Sequence, residues 1–258
     1  MAQFLVESTP DSELPECCRN GFLFDGTPTG TFETIGDTDT YVIKGATHVS
    51  QDKAIVIFTD AFGHKSQNTR LMADVYAQGT GITVYVPDLM AGDAIDFEAF
   101  VSAKDPMVEH FMPFLGRNGD SKAIPIVDRF LDALRNTTGV KKVAGIGFSW
   151  GGRYVTLAAV GGKLDLLAMA HPSRLEVPQV FENVKVPTLC LCAEGDSYFA
   201  YPAAVEATHE IFVRNGVTLE IQVFPGTQHG FATQNFPLPN KAKIDAVAAA
   251  IKFFQIHL

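Results

Sequence analysis

Short, continuous apolar runs alternate with helix-patterned segments along almost the whole chain, and this alternation narrows the fold more than any other feature. The runs are Tyr41-Val42-Ile43, Ala54 to Phe58, Ile82 to Val86, Val143 to Gly147, Leu166 to Ala170, Thr188 to Cys192 and Leu219 to Val223. Most lack polar alternation, the pattern of strands covered on both faces. Helical periodicity falls near 66–79, 122–137, 151–162, 202–215 and 240–256. Strand–helix repetition of this kind predicts a mostly parallel sheet between layers of helices. No composition break or internal repeat divides the chain, so one α/β domain over residues 36–258 is expected. Residues 1–35, rich in Thr, Gly and Pro, read as an extended leader packed on that domain. The stretch 89–120 is less regular and suggests small helices over the top of the sheet.

Charge and hydropathy exclude several partners. Basic residues number 20 against 29 acidic ones, a net charge of −9, and no Lys/Arg stripe offsets the repulsion of a phosphate backbone. Nucleic acid is therefore not expected. No apolar run approaches the roughly 18 residues of a membrane-spanning helix, and the first residues lack the basic and apolar regions of a secretory signal. A cytoplasmic protein without membrane contact is the expectation. The four cysteines fall as Cys17-Cys18 and Cys190-X-Cys192, neither with zinc or redox spacing. Cys190 and Cys192 share one face of a strand and read as core.

The sharpest chemical signal is the run Lys142 to Arg153. An apolar strand enters Gly147-Phe148-Ser149-Trp150-Gly151, and helical sequence follows. Glycines two residues either side of Ser149 allow a sharp strand-to-helix turn with the hydroxyl at its apex. That apex lies at the carboxyl ends of the strands, where open α/β sheets bind ligands. The helix start supplies backbone N–H groups for a developing oxyanion.

A serine hydroxyl needs a base, and the base needs an orienting acid. In this fold class the chain order is Ser, then Asp or Glu, then His. Glu194 and Asp196 follow a buried strand, and His229 sits in a loop after the next one. His209 falls in a helix and His257 in the tail. Asp196 is preferred over Glu194, where the strand is still ending. The loop Asp60-Ala61-Phe62-Gly63-His64 follows an early strand, and its Ala61 N–H would form an oxyanion hole with that of Trp150. Asp60 would then lie near the nucleophile, as a helix-start charge or as a modulator of pocket polarity. Phe62, Phe148, Trp150, Tyr198 and Phe231 are candidate pocket aromatics, and His171-Pro172-Ser173 follows another strand as packing or pocket wall.

These residues together resemble the dienelactone hydrolase (carboxymethylenebutenolidase) family of α/β-hydrolases. Asp60 to Gly63, Asn68-Thr69-Arg70, Pro87-Asp88, Gly147 to Arg153, Asp196 and His229-Gly230-Phe231 occur in the family's order from about Gly30 onward. Cys17-Cys18 with Gly26 to Gly30 is similar to fungal members. The resemblance implies a compact α/β-hydrolase fold with no large lid, acting on lactones or small activated esters without metal or organic cofactor, as a monomer or homodimer. It also implies cysteine at the position of Ser149, and an arginine that clamps the substrate carboxylate at the position of Thr233. This chain has serine and threonine there. Without a bidentate partner, a carboxylated lactone should bind poorly, and Arg70, Arg153 and Arg174 remain as unplaced anion partners. Two other readings stay open: a binding protein with an idle triad, and an isomerase or lyase using the same site.

Overall fold

The computed structural model describes residues 3–5, 26–46, 49, 51–233 and 240–258. Nine strands form one sheet: β1 (Gln3–Leu5), β2 (Thr31–Ile35), β3 (Thr38–Ile43), β4 (Lys53–Phe58), β5 (Thr83–Pro87), β6 (Lys142–Phe148), β7 (Leu166–Ala170), β8 (Thr188–Ala193) and β9 (Leu219–Phe224). Their spatial order is β1-β9-β8-β7-β6-β4-β5-β3-β2. Only the β2–β3 and β3–β5 pairings are antiparallel. The other pairings are parallel.

Among the described residues seven α-helices complete the layers: α1 (Gln67–Thr80), α2 (Phe97–Ser102), α3 (Met112–Arg117), α4 (Asp120–Thr138), α5 (Trp150–Val160), α6 (Ala203–Asn215) and α7 (Asn240–His257). A π-turn at Met107–Phe111 leads into α3. The helices α1, α4 and α6 each stop at a glycine with positive φ, Gly81, Gly139 and Gly216, the left-handed ending that a side chain would oppose.

Two apolar cores lie on opposite faces of the sheet, and strand alternation assigns residues to them. Ala54, Val56 and Phe58 join Leu167, Met169, Cys190 and Cys192 with Phe130 of α4 and Tyr154 of α5. Ile55 and Ile57 join Ala168, Ala170, Leu189 and Leu191 with Tyr76 of α1 and Phe254 of α7. Each central strand thus buries both faces, which explains its unbroken apolar sequence. Cys190 and Cys192 are buried free thiols, and burial pushes the Cys190 thiol up to about 12 and that of Cys192 upward as well.

The stretch expected as a surface leader ends differently. Residues 31–35 pair with β3 as the edge strand of the sheet. Residues 6–25, with Cys17 and Cys18, lie outside the described residues. The small helices expected within 89–120 are α2, the π-turn and α3. Among the described residues no helix is long and apolar enough to cross a membrane.

Candidate active site

Four strand ends converge on one rim of the sheet. β4 delivers Asp60 and Ala61, β6 delivers Ser149, and the loops after β8 and β9 deliver Asp196 and His229. Ser149 occupies the turn between β6 and α5 at φ 49° and ψ −113°, a conformation costly for a non-glycine residue. The flanking glycines make it possible. A Cβ on Gly151 would lie 2.1 Å from the Phe58 carbonyl oxygen, and one on Gly147 would lie 2.6 Å from the Gly151 oxygen. Backbone bonds fix the turn from outside: Ser149 N–H donates to the Ala170 carbonyl, and Ser173 N–H donates to that of Ser149.

The three polar side chains meet in a line. Ser149 Oγ lies 2.8 Å from His229 Nε2, and His229 Nδ1 lies 2.8 Å from Asp196 Oδ2. A carboxylate beside Nδ1 keeps the ring proton there, which leaves Nε2 to accept from the serine hydroxyl. Asp196 is itself held, since its Oδ1 accepts from Tyr198 N–H at 2.8 Å. Glu194 turns elsewhere: its Oε2 accepts from Gly226 N–H at 2.9 Å. The choice of Asp196 over Glu194 therefore matches the geometry.

A cavity of about 400 Å³ opens over Ser149 and His229. Asp60, Ala61, Phe62 and Tyr198 line it, as read from the sequence. Phe148, Trp150 and Phe231 do not. Trp150 directs its indole into the core, where Nε1–H donates to the Asn118 carbonyl and the ring packs on Tyr154. Phe148 lies in the opposite core. Phe231 is buried behind the site against Phe224 and His171. Neighbours of a site residue point away from it, so proximity in sequence misled for these three. Trp150 is the first residue of α5, so its backbone N–H has no partner within the helix.

Sequence reasoning missed the far wall. Phe97, Phe100 and Val101 from α2 and Met107 and Phe111 from the π-turn line the cavity together with Ser149. Their apolar spacing was visible, but it reveals a face and not what that face meets. Thr233 also lines the cavity, and Asn68 Nδ2–H holds its carbonyl at 2.9 Å. None of the three unplaced arginines lines the cavity. Arg153 is engaged with Asp120 and Glu176, and Arg70 sits over the Phe32 and Tyr41 rings.

Two buried titratable groups stand behind the site. His171, fully buried at φ 38°, packs edge-on against His229. Burial first, and then the neighbouring His229, hold its ionisation well below the ordinary histidine range. Lys243 of α7 is buried and pushed down to about 8, with Asp60 pulling weakly the other way.

Residues 38–258 match the dienelactone hydrolase family. The chain belongs to this family. Its members are hydrolases, and the chain is accordingly a lactone or ester hydrolase. It is 29% identical over 228 residues to the hydrolase tropI of Talaromyces stipitatus, covering 84% of this chain and 85% of that one. The carboxymethylenebutenolidase homolog of Mus musculus is 28% identical over 183 residues, with 71% and 72% covered. The dienelactone hydrolase of Anabaena variabilis superposes with a TM-score of 0.62 at 17% identity, covering 89% and 97%. That likeness carries the α/β-hydrolase fold.

Proposed function

We propose that the chain cleaves lactones or small activated esters through an acyl-enzyme formed on Ser149. The observation that carries this reading is the unbroken hydrogen-bonded line from Ser149 through His229 to Asp196, at 2.8 Å for each link, opening into the cavity. In it, Ser149 Oγ attacks the carbonyl carbon while His229 Nε2 takes the hydroxyl proton. Asp196 steadies the imidazolium that forms. The N–H groups of Trp150 and Ala61 stabilise the oxyanion. Collapse of the tetrahedral intermediate expels the alcohol, or opens the lactone ring, with the proton returned by His229. Water, deprotonated by the same imidazole, then releases the acid and restores Ser149.

The test is hydrolysis of short p-nitrophenyl esters and simple lactones, combined with labelling by a fluorophosphonate. Label on Ser149 that disappears in the His229→Ala variant is the expected result. Ser149→Ala should lose about a million-fold in turnover, as triad deletions do. Equal turnover by the protein and His229→Ala would overturn the mechanism. An unlabelled Ser149 would point instead to an idle site used for binding, and products without an oxygen from water to isomerase or lyase chemistry.

A further inference from the structure

Resting on the hydrolase reading above, we infer that the cavity is a subsite for an uncharged, flat aromatic group carried beside the scissile bond, and that it discriminates against carboxylated substrates.

With Ser149 and His229, the cavity is lined by the apolar side chains of Phe62, Phe97, Phe100, Val101, Met107 and Phe111. Its aromatic part is ordered. The Phe62 ring meets Phe97 at 5.1 Å between centroids and 76° between planes, and Phe100 at 5.3 Å and 79°. Each is an edge-to-face contact, in which the positive ring edge meets the negative face. A planar ring entering the cavity extends this herringbone, whereas an aliphatic ring of equal size gains only burial. The volume of about 400 Å³ lies toward the small end of ligand pockets, room for a compact ring system and not for a long chain. Val101 and Met107, 59% and 43% exposed at the cap, make the approach apolar as well.

The polar side of the cavity works against anions. Among the described residues no lysine or arginine lines it, and Asp60 is its carboxyl-bearing member. Lys243, which feels Asp60, is not among the lining residues. A substrate carboxylate would leave water without a bidentate partner and meet apolar rings. Thr233 adds only a short neutral side chain.

The experiment compares three lactones on the full chain: dihydrocoumarin, δ-valerolactone and a carboxylated dihydrocoumarin. Each kcat/KM is divided by the hydroxide-catalysed rate of the same compound, which removes intrinsic reactivity. The aromatic lactone should exceed the aliphatic one by roughly tenfold, the scale of two good aromatic contacts. The carboxylated compound should fall below its neutral parent by at least about tenfold, because its charge is desolvated without a partner. Phe100→Leu should shrink the first ratio through KM, and Phe97→Leu serves if that variant does not fold. Hydrolysis of all three without these preferences would overturn the subsite and leave the hydrolase reading intact. Failure to hydrolyse any of them, or p-nitrophenyl acetate, would remove the proposed acyl-enzyme on lactones and small activated esters, and the subsite with it.

Discussion

The imidazole of His171 packs against that of His229 with ring centroids 5.1 Å apart and planes inclined by 73°. Phe148 and Phe231 enclose the rest of the His171 ring, and neither of its nitrogens has a hydrogen-bond partner among the described residues. Such a ring is stable only when neutral, and a second positive charge beside His229 adds repulsion to the cost of burial.

Stability should therefore depend on His171 on the acid side. Its folded ionisation lies below the ordinary value of 6.5, so the unfolded chain binds the proton more readily. The stability is fully present above about pH 6.5 and is lost as pH falls toward the depressed folded value, by up to about 1.4 kcal/mol per pH unit. Urea midpoints of the protein and of His171→Phe, taken from pH 8 to about pH 5, should diverge as pH falls, the variant declining less. Parallel decline would show that His171 does not titrate in this way.

The two acidic residues after β8 should separate cleanly. Asp196 accepts from both His229 and Tyr198, while Glu194 accepts from the turn at Gly226. Asp196→Asn keeps the shape but favours the wrong imidazole tautomer, and turnover should drop about ten-thousand-fold. Glu194→Gln retains an acceptor for Gly226 and should leave kcat within about twofold, the scale of surface changes away from key features. Comparable losses in the two variants would move the orienting role away from Asp196.

Backbone packing at the elbow gives a third expectation. A methyl group on Gly151 would lie 2.1 Å from the Phe58 oxygen and 2.5 Å from that of Thr59, and backbone cannot yield as a side chain can. Gly151→Ala should cost more than about 3 kcal/mol, in the class of severe overpacking, read as a fall in the unfolding midpoint. Gly162→Ala makes a useful contrast. Nothing lies within 4 Å of its added methyl, so only the strain of φ 69° remains, and the loss should be smaller.

The sequence revealed what local physics determines and obscured what tertiary contact determines. β4, β6, β7 and β8 were legible because burial on both faces forbids polar alternation, and Ser149 because only Gly147 and Gly151 permit its turn. His229 emerged by elimination, since His209 lies in α6 and His257 at the end of α7. Phe148, Trp150 and Phe231 were placed in the pocket through their nearness in sequence, yet a strand or helix turns each successive side chain to a new direction. Phe97, Phe100 and Phe111 went unread for the opposite reason. Their periodicity marks an apolar face, but only the folded chain shows that this face covers Ser149. The edge strand Thr31–Ile35 is hidden in the sequence because the Thr, Gly and Pro content of residues 1–35 reads as an extended leader.

Thiol reactivity offers a last test, one that uses position 149 against the native cysteines. Cys190 and Cys192 are about 1% exposed, and burial raises both thiols, that of Cys190 to about 12. The nucleophile in alkylation is the thiolate, so iodoacetamide at neutral pH should leave the peptide bearing them unmodified until the protein unfolds. Ser149→Cys puts a thiol 2.8 Å from where an imidazole nitrogen already waits and at the start of α5, two influences that favour the thiolate. Peptide mapping should find rapid alkylation at position 149 in that variant, slowed at least about tenfold when His229→Ala is added, since the proton acceptor is then gone. Modification of the Cys190–Cys192 peptide in folded protein would contradict their burial. An alkylation rate at position 149 indifferent to His229 would mean that the imidazole does not activate the group at this turn, and the acyl-enzyme would lose its base.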